Sequence, residues 1–176
     1  MFLRAERFAD TGKDKQAIEI YTKIIKRSNR LPYAYYSRGI CYMSIGEYSK
    51  ALTDFNKTID LERKDNNIVI IYPIGSESKV KTPVEYYDVL FLKAQAEYYV
   101  DSFNAAFSNF QYLVDREYNE KSSCILWQGE IYRYLGKKDS ACVYFSEAEK
   151  YALTLEDIDA AQKMLVQNCG GTNNNR

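Results

Sequence analysis

A pattern of small and aromatic residues occurs twice in this chain at nearly the same spacing. The first copy is Gly39, Tyr42, Gly46, Tyr48, Ala51 and Phe55. The second copy is Gly129, Tyr132, Gly136, Ala141 and Phe145, with Lys138 where the first copy has Tyr48. The alanine with an aromatic residue four positions later occurs twice more, as Ala17 with Tyr21 and as Ala106 with Phe110. Small and aromatic residues that recur at a period of about 34 residues predict stacked helical hairpins.

The period is broken once, in the middle of the chain. Ala17 and Ala51 are 34 residues apart, whereas Ala51 and Ala106 are 55 residues apart. The additional residues form an insert, residues 66–83, whose sequence does not have the periodicity of a helix. A β-branched run that leads to Pro73, followed by Val80 between two lysines, predicts a short β-ribbon or an extended strap. The run from Ile68 to Ile74 either folds onto the domain or binds another molecule.

The division of the chain follows from these spacings. We expect one domain over 1–171, with repeats at about 1–31, 32–65, 84–120 and 121–153 and a polar tail at 172–176. A last helix, which caps the stack, is predicted over 154–169. Thr154 and Asp157 have the spacing of a capping box, in which a hydroxyl and a carboxylate satisfy the free N–H groups of the first turn. Gly170 is suited to ending that helix.

Composition limits the classes of function. The 176 residues are 46% hydrophobic, and 24 basic residues balance 24 acidic residues. Since nucleic-acid binders usually carry a basic excess, no nucleic-acid partner is predicted. The first ten residues carry charges and no long apolar run, so neither a signal peptide nor a membrane partner is predicted.

No catalytic or metal-binding residue is predicted. The chain has no histidine, which removes the Ser-His and Cys-His nucleophile pairs. No phosphate-binding glycine motif is present, and the four cysteines contain no C-x-x-C pair. We therefore expect no cofactor, no metal and no enzyme. Cys41, Cys124 and Cys142 are interpreted as small buried helix residues, which favours a reducing, cytoplasmic location.

The repeats resemble those of the tetratricopeptide family, whose 34-residue pattern places a small residue, Tyr, Ala and an aromatic residue at fixed offsets. The second and fourth repeats match best, and the first matches through Ala5, Phe8, Ala17 and Tyr21. The resemblance implies an all-α, right-handed α-solenoid of about four such hairpins. The usual Leu before the small residue is Arg38 in the second repeat and Gln128 in the fourth.

Two repeats depart further from the family pattern. Counting back from Ala106 places Leu90 and Ala94 correctly in the third repeat, but Glu97 then stands where the family has Tyr, with Tyr98 one residue late. The first repeat begins inside its first helix, which leaves an apolar edge at Phe2 and Leu3. That edge is covered either by residues before Met1 or by a neighbouring chain, so self-association through the first repeat is one expectation.

The resemblance also implies where a partner binds. In the family, the first helices of the hairpins line a concave groove that holds a peptide or a helix of another protein. Carried over, the second repeat contributes Tyr33, Tyr36, Ile40, Met43 and Ser44. The fourth repeat contributes Leu126, Glu130, Arg133 and Tyr134, with Trp127 close by. The alternative is that Tyr36, Ile40 and Leu126 only pack against neighbouring hairpins or the last helix.

The predicted function is therefore non-catalytic binding of a protein or peptide, as a scaffold or adaptor. A regulatory or assembly domain of a longer chain or complex is the alternative. Some family members clamp a partner's C-terminal carboxylate with Lys and Asn, but the matching places here hold Glu6, Tyr36 and Ile40, so that clamp is not expected.

Overall fold

The computed structural model of the chain describes residues 1–64, 71–74, 77–80 and 85–170. Within these residues the chain forms nine α-helices and one two-stranded antiparallel sheet. The helices are α1 (Phe2–Asp10), α2 (Asp14–Arg27), α3 (Pro32–Ser44), α4 (Tyr48–Lys64), α5 (Tyr86–Tyr99), α6 (Phe103–Asp115), α7 (Lys121–Tyr134), α8 (Lys138–Tyr151) and α9 (Leu155–Cys169). The strands are β1 (Ile71–Ile74) and β2 (Glu77–Val80). The all-α class predicted from the repeats is confirmed.

Glycines with positive φ make the tight turns of the two best repeats. Gly46, between α3 and α4, has φ +76°, and Gly136, between α7 and α8, has φ +72°. This left-handed conformation suits a residue without a Cβ, so each glycine ends one helix and allows the next to fold back. Pro32 begins α3, where its missing N–H costs no helical hydrogen bond.

The described chain forms two compact units, Met1–Val100 and Asp101–Arg176. In the first unit, consecutive helices from α1 to α5 pack against one another. Its first core cluster consists of buried residues from the first three helices: Ala5, Ala17, Tyr21, Ile24, Ala34 and Cys41. The small residues let these helices approach closely and the aromatic ring fills the remaining space. The predicted single domain over 1–171 stays a prediction.

In the second unit, α6 packs on α7, α7 on α8, and α8 on α9. Ala161 of α9 is buried with Ile125 and Ala148 in one cluster, so the last helix covers the fourth hairpin as predicted. The Thr154 hydroxyl accepts from the Asp157 N–H at 3.1 Å, and the Asp157 carboxylate accepts from the Thr154 N–H at 3.2 Å. These two bonds form the predicted capping box, and Gly170, with φ +69°, ends the helix.

The third repeat keeps the register obtained by counting back from Ala106. Leu90 and Ala94 are buried, and Glu97 is buried where the family has Tyr. The Glu97 carboxylate forms an ion pair with Lys93, one turn earlier on the same helix. The positive charge of Lys93 offsets the cost of burying the Glu97 carboxylate. The side of α5 that the family pattern predicts to be buried is therefore buried, although it carries a charged residue.

The β-ribbon predicted for the insert is present at its centre. β1 and β2 pair antiparallel, with Ile71 opposite Val80 and Ile74 opposite Glu77. The remainder of 66–83 and the tail at 172–176 lie outside the described residues. Whether the apolar run folds onto the domain or binds another molecule therefore stays a prediction.

The interpretation of the cysteines is right for two residues and wrong for one. Cys41 and Cys124 are buried free thiols. Cys142 is half-buried and forms a disulfide with Cys169, which joins α8 to the end of α9. The prediction failed because the partner is 27 residues away and no local spacing indicates it.

Candidate partner-binding faces

The predicted groove residues of the second repeat share one side of α3, called here the α3 face: Tyr33, Tyr36, Ile40, Met43 and Ser44. Ile40 is 39% exposed and Ser44 is also exposed, while Tyr33, Tyr36 and Met43 are half-buried. Other residues of α3 are buried: Pro32, Ala34, Tyr35, Ser37, Gly39 and Cys41. The α3 face is thus the accessible side of a helix whose remaining sides mostly pack into the fold.

Aromatic rings join the α3 face to its neighbours in the first unit. The ring centroid of Tyr33 lies 6.2 Å from that of Phe2 and 6.4 Å from that of Tyr36. Tyr36 in turn lies 6.4 Å from Phe55 of α4. Phe2 also contacts Tyr21 at 6.4 Å, so Phe2 is partly buried against this unit. Leu3, beside it, is 50% exposed.

Two carboxylates accept hydrogen bonds from side chains of the α3 face. The Tyr33 hydroxyl donates to Glu6 Oε1 of α1 at 2.8 Å. The Ser44 hydroxyl donates to Asp14 Oδ2 of α2 at 2.9 Å. Burial, together with the negative charge of Asp88 on α5, raises the pKa of Tyr36 above its usual value. Sequence reasoning missed Asp88 and Asp14 as neighbours of this face, although it placed Glu6 at a family binding position.

The predicted groove residues of the fourth repeat lie on α7 in the second unit and are called here the α7 face: Leu126, Trp127, Glu130, Arg133 and Tyr134. Arg133 forms a bidentate ion pair with Glu130, with N···O distances of 2.7 and 2.9 Å. Tyr134 is 58% exposed and packs on Phe103 at 4.8 Å. These contacts leave the α7 face with one balanced pair of charges and one exposed ring.

Two α7 residues take part in packing within the second unit. The Trp127 ring stacks on Phe110, with 6.0 Å between centroids and 7° between planes. Leu126 is half-buried against the cluster of Ile125, Ala148 and Ala161. The buried part of the Leu126 side chain thus packs towards the last helix, as the alternative prediction states.

Buried polar contacts fix the two positions where the family has Leu. Arg38 donates to both Asp54 oxygens, each at 2.7 Å, and to Thr22 Oγ1 at 3.0 Å. Burial raises the pKa of Asp54, and the bonds from Arg38 oppose that shift. Gln128 donates to Gln111 Oε1 at 2.9 Å. Arg38 and Gln128, the two residues that depart from the family pattern, are therefore each hydrogen-bonded to another side chain.

The described residues offer little for chemistry. Burial raises the pKa of the Cys41 and Cys124 thiols to about 12, so they stay protonated at neutral pH and are poor nucleophiles. No group of three or more His, Cys, Asp or Glu that could hold a metal ion occurs in the part of the chain that the structure describes. Of the described helices, none has the length and apolarity needed to cross a membrane.

Comparison with known proteins supports the repeat assignment. Residues 32–65 and 123–154 each match a family model described as tetratricopeptide repeat. A TPR repeat-containing protein of Methanocaldococcus jannaschii is 31% identical over 85 residues, which cover 45% of this chain and 15% of that protein. The matched part of the chain therefore spans a small part of the length of this curated relative.

Solved structures of low sequence identity share the fold. MamA from Desulfovibrio magneticus RS-1 is 13% identical, with a TM-score of 0.66 over 93% of this chain and 80% of that chain. YrrB, described as a TPR protein with an unusual peptide-binding site, is 14% identical, with a TM-score of 0.62 over 94% of this chain and 75% of that chain. At such identity the likeness shows the fold alone.

Proposed function

Because the chain belongs to the tetratricopeptide repeat family, we propose that it binds a segment of another protein and catalyses no reaction. The proposed binding surfaces are the α3 face in the first unit and the α7 face in the second. YrrB, whose fold is similar, is described as having a peptide-binding site, which is consistent with this use of the fold.

The exposure of Ile40 is the single observation that carries the proposal. Ile40 is 39% exposed between the half-buried Tyr36 and Met43, on a helix whose other sides mostly pack into the fold. An aliphatic side chain flanked by a tyrosine and a methionine is suited to receive an apolar side chain of a partner. On the α7 face, Tyr134 and Arg133 are exposed residues of types enriched at binding hot spots.

A role as an assembly domain within a longer protein is the second candidate. It is favoured by the small share, 15%, of the Methanocaldococcus jannaschii protein that the match covers. In that case the same faces would bind another part of the same chain or of its complex, and the variants below would weaken that contact.

Peptide selection tests the proposal directly. A random 12-residue peptide library displayed on phage is selected on the immobilised chain, and the affinities of enriched peptides are measured by fluorescence anisotropy. Ile40→Asp is expected to weaken binding at the α3 face about tenfold, because a charge replaces an apolar contact. Arg133→Ala is expected to weaken binding at the α7 face by a smaller factor.

The controls carry the same kinds of change on second helices. Val143, which is 64% exposed on α8, is replaced in Val143→Asp, and the exposed Lys138 is replaced in Lys138→Ala. Both controls are expected to leave the affinities within twofold of wild type. Failure to enrich any peptide, or peptides whose affinity neither test variant changes, would contradict the proposal.

A further inference from the structure

The two halves of the last helix, α9, are attached to the second unit in different ways. The first half begins at the Thr154 capping box and contains Ala161, which is buried. The second half, residues 162–169, is called here the α9 end, and each of its residues is half-buried or exposed. Its Gln162 side chain donates to Glu149 of α8 at 2.9 Å, but both side chains are exposed. Burial therefore holds the first half of α9 more firmly than the α9 end.

A disulfide adds a covalent link where burial is weakest. Cys169, the last residue of α9, is bonded to Cys142 of α8. An isolated helix of 15 residues is marginally stable in water, and proteins open locally where few apolar contacts are buried. Breaking the disulfide should therefore let the α9 end detach from α8, while the capping box and Ala161 keep the first half in place.

The four cysteines differ in how easily a reductant can reach them. Cys142 and Cys169 are half-buried, so their sulfur atoms are open to attack by a small dithiol. Cys41 and Cys124 are 1% and 0% exposed. Burial also raises the pKa of both thiols to about 12, so neither supplies a competing thiolate at neutral pH. Thiol–disulfide exchange in the native chain is therefore confined to the bond that holds the α9 end.

The α9 end lies beside the α7 face. The Gln162 hydrogen bond and the disulfide place it alongside residues 142–149 of α8. Ala148, in that segment, forms one cluster with Ile125 and Ala161, and Leu126 of the α7 face packs against this cluster. α9 also contacts α7 directly. The last helix thus covers part of the apolar surface that the α7 face would offer to a partner.

We propose that the disulfide of Cys142 with Cys169 is a reversible redox site, and that its reduction by a dithiol opens the α7 face to a partner. This inference rests on the proposed function, since it concerns the regulation of that face. One thiolate of the dithiol attacks a sulfur of the bond, and the other cysteine leaves as a thiolate and takes up a proton. The second thiol of the dithiol then attacks the mixed disulfide and releases the remaining cysteine as a thiol. The dithiol becomes a disulfide, and two electrons and two protons pass to the cysteine pair. The α9 end detaches, and an apolar segment of the partner contacts Leu126 in its place.

Hydrogen exchange followed by mass spectrometry tests the opening itself. Reduction with dithiothreitol is expected to make the amides of 162–169 exchange about tenfold faster and those of 155–161 less than about threefold faster. The variant Cys142→Ser/Cys169→Ser is expected to exchange like reduced wild type with or without the reductant. The matched control, Cys41→Ala/Cys124→Ala, keeps the disulfide and is expected to respond to dithiothreitol as wild type does.

Peptide binding connects the opening to the α7 face. Peptides are selected from the phage library on the Cys142→Ser/Cys169→Ser variant, and those that Arg133→Ala weakens in that background are kept. They are expected to bind reduced wild type about fivefold more tightly than oxidised wild type, because the oxidised chain rarely adopts the open form. Peptides that need Ile40 serve as the control in the same chain, and their affinity is expected to be equal in the two states.

The possible failures are distinguishable. Exchange of 162–169 that reduction does not change, or equal affinities of the α7-face peptides for the oxidised and reduced chains, would overturn the redox control and leave the proposed function intact. Peptides insensitive to both Ile40→Asp and Arg133→Ala, or no enriched peptides at all, would overturn the proposed function and the redox control together. Circular dichroism of each variant in both redox states confirms that it is folded before rates and affinities are compared.

Discussion

The second hairpin, α3 and α4, and the fourth, α7 and α8, use the same contact between a glycine and a phenylalanine. A Cβ added to Gly39 would lie 2.7 Å from Phe55 Cε1, and one added to Gly129 would lie 2.5 Å from Phe145 Cε1. The residue before each glycine differs, since Arg38 binds the charged Asp54 and Gln128 binds the neutral Gln111. The two helices of each hairpin touch at equivalent positions, whereas the polar contacts beside these positions differ between the two hairpins.

The two polar contacts differ in what remains when one partner is lost. Asp54 is almost fully buried, so without Arg38 a carboxylate stays in the core with no cation to offset its burial. Gln111 is only half-buried and also donates to Asp115 Oδ1 at 2.8 Å. Without Gln128, its amide oxygen can be hydrated. The same substitution in the two hairpins should therefore have unequal consequences.

Replacement of each polar residue by the family's Leu is expected to show the largest contrast. Arg38→Leu should lower the free energy of unfolding by about 3 kcal/mol, because it leaves Asp54 buried without its partner. Gln128→Leu should change it by less than about 1 kcal/mol, because a neutral hydrogen bond is exchanged for apolar burial. Urea unfolding followed by far-UV circular dichroism measures both values, and the fluorescence of Trp127 reports the second unit.

A double variant separates the charge from the packing. Arg38→Leu/Asp54→Leu removes both members of the ion pair and should recover most of the stability that Arg38→Leu loses. Equal losses in Arg38→Leu and Gln128→Leu would show that the Arg38–Asp54 pair contributes no more than the neutral contact.

The disulfide provides the next contrast, since it ties only the second unit. Cys142 and Cys169 close a loop of 27 residues, and removal of such a link typically costs about 3 kcal/mol. Reduction with dithiothreitol should therefore lower the thermal midpoint followed by Trp127 fluorescence. The variant Cys142→Ser/Cys169→Ser should start from the lower midpoint and should not respond to the reductant.

Thiol counting checks the same bond and the predicted compartment. Unfolded chain purified without reductant should show two reactive thiols, from Cys41 and Cys124, and four after reduction. Native chain should react slowly at neutral pH, because burial raises the pKa of both thiols to about 12. Four thiols without reduction would contradict the disulfide and favour the reducing location predicted from the sequence.

The scaffold was predictable because its determinants are local. Gly39 and Phe55, like Gly129 and Phe145, are 16 residues apart, the offset that brings facing positions of one hairpin together. Arg38 and Asp54 are also 16 residues apart, so the same offset was a signal for this ion pair that sequence reasoning did not use. The residue 16 positions after Gln128 is Tyr144. Gln128 is instead hydrogen-bonded to Gln111, which precedes the hairpin of α7 and α8, so no spacing within that hairpin indicates it.

The surroundings of the α3 face could be predicted only in part. Tyr33, Tyr36 and Ile40 follow from the family pattern because they lie within one well-matched repeat. Asp88 does not, because the insert separates α5 from the preceding repeats and Glu97 weakened the register of that helix. Which charges meet at this face depends on the packing of α1, α3 and α5, which the pattern of α3 alone does not contain.

Adding a methyl group at the glycine–phenylalanine contact of each hairpin is expected to have a smaller effect than breaking the ion pair or the disulfide. Gly39→Ala and Gly129→Ala should each lower the free energy of unfolding by about 1–2 kcal/mol, because overpacking of a filled core outweighs the higher helix propensity of Ala. Gly129→Ala should cost more, since its Cβ would also meet Phe145 Cδ1 at 2.6 Å, against 3.0 Å for Phe55 Cδ1 at Gly39. Urea unfolding measures the pair, with hydrogen exchange to locate each loss.

A smaller partner should relieve the collision and so identify it as the cause. Phe145→Leu alone should destabilise the second unit by leaving a cavity, but in combination with Gly129→Ala the new methyl group occupies part of that space. The double variant should therefore be more stable than the sum of the two single losses predicts. Additive losses, or an alanine that stabilises either hairpin, would mean that the glycine–phenylalanine contact does not set the distance between the helices.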